Sequence, residues 1–314
     1  MKAYVIRRLL LIIPIGLLVG IMAFTLVQLS PGDPATFFVS PDAPPEQLEM
    51  VRERLGLHRP VYVRFGHWLS GVLRGDLGVS FYQRRPVTEA FAAAFPYTLT
   101  LAAGGIGLAV IIALPVGMIS AIKQNTFIDD VLRIFVLTGI SFPNFWLGML
   151  LILLFAITLG WLPSQGMVSF TEEPVQAIRH AIMPWIALGY FNAALMARMT
   201  RSSMLDVLQQ DYIRTARAKG VAERTVIIKH ALKNAFTSIL TVLGLVTMRL
   251  VAGSVVIETV FNVPGIGRLV VNSISRRDYP LIQGVLLITA MLIVFINLGV
   301  DLLYAFIDPR IRYK

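Results

Sequence analysis

Six long stretches of this chain carry almost no charge, and they constrain its fold more than any other feature. Leu9 to Leu29, Leu99 to Ile122, Ile134 to Leu162, Ala181 to Ala197 and Leu281 to Val300 contain no Asp, Glu, Lys or Arg, and Ala235 to Ile257 is interrupted only by Arg249. A helix needs about twenty apolar residues to cross the hydrocarbon core of a bilayer. In that core water cannot satisfy exposed backbone groups, so a spanning segment of this kind must be helical. The reading is an all-α integral membrane protein with six transmembrane helices.

Composition agrees. Mean hydropathy is +0.72 and charged residues make up 15% of the chain, against about 25% in an ordinary soluble domain. There is no cysteine, which excludes disulfides and thiolate metal sites. His58, His67, His180 and His230 form no helical ligand pair, so no metal site is expected. The first apolar run is too long for a cleaved leader and lacks a small-residue cleavage site after it.

Orientation follows from the lysines and arginines in the short flanks. With the N-terminus in the cytoplasm, sixteen positive residues fall inside and only Arg179, Arg268, Arg276 and Arg277 fall in the short outside loops. Both termini are therefore expected in the cytoplasm. The net charge of +10 then has a topological origin, and no nucleic-acid partner is implied.

The segment 31–96 is the one sizeable polar piece between spans. Pro31 to Pro34 reads as a stop for the first span. Pro44 and Pro45 open a helix with Leu48, Val51 and Leu55 on one side, closed by Gly56; Pro60 opens another, with Phe65, Trp68 and Leu69 aligned. Such stripes are core. The segment is too small to fold alone and should lie outside, against the ends of the spans. Thr88 to Phe95 is expected to form an amphipathic elbow into the second span.

Between the fourth and fifth spans lies a strongly basic loop, 209–235. Asp211 is a good N-cap, Tyr212 to Lys219 contains no breaker, and Gly220 stands where a left-handed cap would stop the helix. A second helix can start near Ala222 and run into the fifth span. Ala216 and Gly220 are four apart, which would leave one face nearly bare of side chains, rimmed by Arg214, Arg217, Lys219 and Arg224. A partner's groove could close over that face, or the loop could lie against anionic lipid.

Two features fall inside spans. Pro143 and Asn144 interrupt the third, either as a kink or as a substrate contact. Arg249 costs about 2.5–3.5 kcal/mol near the middle of a membrane helix even on the mild insertion scale. It should therefore face protein or water, lining a path or bonding backbone carbonyls. Asp301 lies too far towards the other end of its span to reach it.

Read across the whole chain, the motifs resemble one family. YVIRRLLLIIPI near the start, LSPGDPA at Leu29 to Ala35, GDLGVSF at Gly75 to Phe81, RPVTEAF at Arg85 to Phe91 and SFPNFWLG at Ser141 to Gly148 occur in order. They are followed by SSMLDVLQQDYIRTARAKG at Ser202 to Gly220, ETVFNVPGIGRL at Glu258 to Leu269, RRDYPLIQG at Arg276 to Gly284 and YAFIDPRIR at Tyr304 to Arg312. The chain is similar to permease subunits of binding-protein-dependent ABC importers, in the dipeptide, oligopeptide and nickel branch. Arg214, Thr215 and Ala216 fall at the three EAA positions of the family's coupling loop, Gly220 at its glycine and Leu232 at its later leucine. Arg214 replaces the usual acid, and Lys233 the usual proline.

The resemblance implies a type I importer permease fold: span one and the N-terminus at 1–30, an extracytoplasmic segment at 31–96, the permease core at 97–308 and a cytoplasmic tail at 309–314. It implies coupling to an ATPase through Asp211, Arg214, Thr215, Ala216, Arg217, Gly220 and Leu232, and a translocation path touching Arg249, Glu258 and Asn144. The chain has no GxxxxGKS/T phosphate loop, so no catalytic residue or cofactor is expected on it. ATP and Mg would sit on two separate cassette subunits, beside a second permease (a homologue or another copy) and an extracytoplasmic solute-binding protein. A self-sufficient secondary transporter would need an ionisable relay in its spans, and Arg249 with Asp301 does not make one. A membrane enzyme would need a nucleophile with a positioned base, and none appears. Short peptides are the substrate the resemblance implies first. Relatives sharing these motifs move nickel chelates, glutathione, opines and sugars.

Overall fold

A computed structural model describes residues 2–29, 34–37, 39, 44–54, 56–251 and 255–307. The expected stop at Pro31 to Asp33 and the tail 309–314 lie outside them. Among the described residues the chain is helical, with one isolated β-bridge between Val79 and Pro86. The helices are α1 (Lys2–Leu29), α2 (Pro45–Arg54), α3 (Val61–Leu73), α4 (Val87–Ile122), α5 (Phe127–Ser141), α6 (Asn144–Leu151), α7 (Pro174–Leu208), α8 (Asp211–Ala218), α9 (Glu223–Thr225), α10 (Lys233–Val251), α11 (Val255–Val260), α12 (Ile266–Ser275) and α13 (Tyr279–Ile307). Wide π-helical turns at Ile152–Thr158 and Val226–Leu232 extend α6 and join α9 to α10.

Four helical stretches are long and apolar enough to cross a membrane: Leu10–Leu29, Val87–Ile122, Glu223–Leu250 and Tyr279–Gly299. A fifth is a bent pair. The run read as one third span breaks at Phe142 and Pro143 into Phe127–Ser141 and Asn144–Thr158, turned by 100°. Proline disfavours helical backbone at the residue before it, and Phe142 is extended (ψ 131°). The fourth apolar run lies inside the 35-residue α7. This helix is less apolar because it carries Arg179, His180, Arg198, Arg201 and Asp206 outside that run; its small side chains, among them Ala187, Ala193, Ala194 and Ala197, are covered by protein. The elbow expected at Thr88 to Phe95 is not a separate element, since α4 is continuous from Val87.

The chain divides into two compact units. The first comprises residues 1–96 and 268–295. In it α1 packs on α3 through Phe24, Phe65 and Trp68, whose ring centroids lie 5.3–5.9 Å apart. Gly56, in a left-handed conformation (φ 64°), ends the first polar helix as the sequence indicates. The loop after α3 is closed by Asp278. Its buried carboxylate accepts hydrogen bonds from the Ser80 hydroxyl at 2.5 Å and the Phe81 and Tyr82 amides at 3.1 and 3.2 Å.

The second unit comprises residues 97–267 and 296–314. Its hub is α7, which contacts α5, α6, α10 and α11. Small residues permit the close approach. Gly104 has no room for a Cβ beneath the Trp185 ring, and a Cβ at Gly189 would meet Leu108 at 2.9 Å. The Trp185 indole donates to the Thr100 carbonyl at 3.0 Å, and the Tyr190 hydroxyl to that of Phe135 at 2.9 Å.

Candidate functional site

The basic loop leaves α7 at Leu208. One residue of the expected geometry shifts: the N-cap of α8 is Gln210, and Asp211 is the first helical residue, with no side-chain cap bond. There it complements the positive end of the helix and lies 3.6 Å from Arg214. Gly220 has φ 78°. Its N–H reaches the Arg217 carbonyl at 2.9 Å, and the Val221 N–H reaches that of Ala216 at 3.3 Å, the paired bonds of a left-handed helix stop. Gly220 therefore lies beyond the helix and does not extend the Ala216 face. Ala216 is half-buried, and the open surface is formed by Asp211, Arg214, Thr215, Ala218, Lys219 and Gly220. A Cβ at Gly220 would meet nothing within 4 Å.

Two side chains hold this loop in shape. Ile213 is fully buried and fixes α8 to the rest of its unit. Arg217 donates Nε to Glu223 at 3.1 Å and Nη2 at 2.7 Å, bridging the two sides of the Gly220 turn. The hydrogen-bonded carboxylate raises the Arg217 guanidinium above its ordinary pKa. Arg217 thus serves the turn itself rather than a free rim. Leu232 is half-buried at the end of the π turn, where α9 continues without a break into α10.

On α10, Val242, Val246 and Leu250 are buried. The opposite face is exposed and carries Ser238, Thr241, Leu245 and Arg249. Arg249 makes no hydrogen bond or ion pair among the described residues. A bond to described backbone carbonyls is therefore not what holds it.

Glu258 and Asn144 fall elsewhere. Glu258, expected on the translocation path, is completely buried. Its Oε1 accepts from the Thr98 hydroxyl at 2.8 Å, and Thr98 Oγ1 accepts from the Ile266 N–H at 2.8 Å. A Cβ at Gly265 would lie 2.5 Å from the carboxylate, so that glycine admits the acid under the turn into α12. The acid binds the turn to α4. Asn144 is half-buried at the start of α6 and makes no side-chain cap bond.

The sequence reading missed one site. Asp129, fully buried at the start of α5, is gripped by Arg201 of α7 through Nε at 3.0 Å and Nη2 at 2.8 Å. The Ser120 hydroxyl donates to the same carboxylate, and so does the Asn125 N–H at 3.1 Å. This clamp joins the end of α4, the turn after it, the start of α5 and the end of α7. Its signal was available: an acid and an arginine flank neighbouring apolar runs at ends expected on one side of the membrane.

Apolar helices meeting through glycines, a buried ion pair at their ends and a basic helix–turn–helix between two of them are the architecture of a polytopic membrane protein. The chain belongs to the family described as binding-protein-dependent transport system inner membrane component, whose model matches residues 113–313. The N-terminal model of the same kind of membrane component matches 1–102. It is 46% identical over 314 residues, covering 100% of both chains, to the glutathione transport system permease protein GsiC of Escherichia coli O6:H1 and of Escherichia coli K12. The same holds for GsiC of Salmonella choleraesuis. In three dimensions it resembles a chain of the inward-facing MetNI methionine ABC transporter, with TM-score 0.58, 18% identity, and coverage of 70% of this chain and 96% of that one. The protein is thus an ABC importer permease with a type I fold. Such a permease works with ATPase and solute-binding partners.

Proposed function

We propose that this chain carries a short peptide of the glutathione class across the inner membrane, powered by ATP and Mg on two separate cassette subunits. The observation that carries the reading is 46% identity along the whole chain to glutathione permeases. The chemistry of the chain supports it. Glutathione is a tripeptide with two carboxylates and a thiol, and the exposed Arg249 on α10 offers a carboxylate a charge partner without a closed pocket. A chain without cysteine cannot form a mixed disulfide with a thiol cargo.

In this reading both termini are cytoplasmic and the loop 209–235 faces the ATPase. A second permease, a homologue or another copy, completes the path along the Ser238, Thr241 and Arg249 face. ATP acts by binding one global state better than the other. The exposed surface of α8, from Asp211 to Lys219 with Gly220 as its stop, receives that change and passes it to α7 and α10. Calorimetric titration of the cognate solute-binding protein with glutathione, dipeptides and nickel with histidine tests the substrate. Tight binding of glutathione is expected; tight binding of the nickel chelate alone would overturn the assignment.

A further inference from the structure

Two loops of the first unit, 74–86 after α3 and 276–278 between α12 and α13, are tied into one surface by Asp278. Together they carry Arg74, Arg84, Arg85, Arg276 and Arg277 against Asp76 and Asp278. Neither carboxylate is spent on an arginine. Asp278 is buried on the Ser80 hydroxyl and the Phe81 and Tyr82 amides, and Asp76 accepts from the Gly78 N–H at 2.8 Å. None of the five arginines forms an ion pair among the described residues. The surface therefore keeps a net positive charge.

Backbone strain marks the same place. Four described residues other than glycine have positive φ, and two of them are Asn125 and Asn262, a residue type that visits the left-handed region readily. The other two are Arg84 (φ 52°) and Arg277 (φ 51°), and both stand in this surface. Arg277 forms the stop of α12: its N–H reaches the Ile274 carbonyl at 3.0 Å and the Asp278 N–H that of Ser273 at 2.9 Å. Glycine is the usual residue at such a stop. Strain of this kind concentrates at ligand and switch sites, and both arginine side chains are exposed without an ion pair.

Between the loops is a notch of about 280 Å³, walled in part by Gln83, Arg85, Asn272 and Arg276. The Arg276 guanidinium lies 3.4 Å over the centre of the Tyr82 ring. That contact holds its plane and leaves its N–H edge without a hydrogen bond among the described residues. Arg85 gives Nε to Gln83 at 2.6 Å, and its Nη groups donate to no described protein atom. Guanidinium edges held in this way suit a carboxylate, which they bind as a fork. Tyr82 is 62% exposed, and tyrosine and arginine on a rigid support are the residues that anchor protein interfaces.

We propose that this surface docks an acidic face of the solute-binding protein. One carboxylate of that face enters the notch and binds Arg276 and Arg85, its neighbours pack on Tyr82, and Arg84 and Arg277 steer the approach. A free inorganic anion would use the notch and leave the tyrosine and the two strained arginines idle. The assignment rests on the importer reading and on cytoplasmic termini, which place both loops outside.

Binding of the cognate solute-binding protein, empty or loaded with glutathione, to the assembled transporter in nanodiscs tests it at low and high salt. The double variant Arg84→Gly with Arg277→Gly should unfold at the wild-type midpoint or above, because glycine accepts both turns without strain. It should nevertheless bind about tenfold more weakly and lose most of the salt dependence of the association rate. Arg276→Gln should weaken binding by a similar factor, mainly through faster dissociation. Wild-type affinity and salt dependence in these variants would overturn the docking surface and leave the importer reading standing. A lowered midpoint in the double glycine variant would make the two arginines structural and count equally against it. Weakening confined to the glutathione-loaded protein would move the contact to the cargo and remove the protein anchor. No binding by the wild-type transporter would sink the importer reading and this surface together.

Discussion

Arg201 on α7 holds the buried carboxylate of Asp129 on α5 through two nitrogens, at 3.0 and 2.8 Å. Neither residue belongs to a family motif of the path or the loop, yet together they fix the end of the helix that leads into α8. Removing one partner strands a charge in a low-dielectric site, which costs about 3–5 kcal/mol, whereas replacing both by apolar residues is often neutral. Arg201→Met and Asp129→Leu should each lower the thermal unfolding midpoint of the purified chain sharply. The double variant should recover most of the loss. Wild-type midpoints in both single variants would show that the pair bears no strain of this kind.

Gly220 is the second sensitive point. Its φ of 78° costs an ordinary L-residue about 1 kcal/mol, while asparagine tolerates the left-handed region. Gly220→Asn should retain binding-protein-stimulated ATP hydrolysis in the assembled transporter, and Gly220→Val should lose most of it with the complex still intact. Equal activities would mean that the left-handed stop is unimportant to coupling.

The orientation can be tested by labelling, because the chain has no native cysteine. Gln124 and Gln165 are both exposed and flank the bent third span. Asn125 is unsuitable because its N–H is held by Asp129 at φ 60°. An impermeant thiol reagent should reach Gln165→Cys from outside and Gln124→Cys only after the membrane is opened. Labelling of both from outside would contradict cytoplasmic termini.

Much of this architecture was legible locally. Uncharged runs gave the four long apolar helices and the bent pair, and Gly220 gave the end of α8, because hydropathy and backbone conformation are properties of short segments. The N-cap was misassigned to Asp211, since Gln210 takes the extended backbone (ψ 147°) that precedes the helix. Pro143 signalled a break, but a turn of 100° depends on what the two halves pack against. Asp129 with Arg201 and Glu258 with Thr98 join residues 72 and 160 positions apart. Charges flanking apolar runs place Asp129 and Arg201 at span ends, but no local pattern names the partner that each residue meets at such a separation.

Arg249 separates a path from a scaffold. Arg249→Met keeps side-chain length and removes the insertion cost of about 2.5–3.5 kcal/mol, so the variant should reach the membrane and assemble in normal amounts. Uptake should fall at least about tenfold if a charge-assisted contact to the cargo of about 1.4 kcal/mol is lost. Failure of the variant to assemble would make Arg249 structural.

The central claim is ATP-driven import of a glutathione-class peptide through this chain. Its most direct test is uptake of labelled glutathione into proteoliposomes containing the permease pair and its cassette subunits, with solute-binding protein outside and ATP inside. The account predicts accumulation that needs both ATP and the binding protein and is competed by unlabelled glutathione. Accumulation without ATP, or transport of a nickel chelate with none of glutathione, would contradict it.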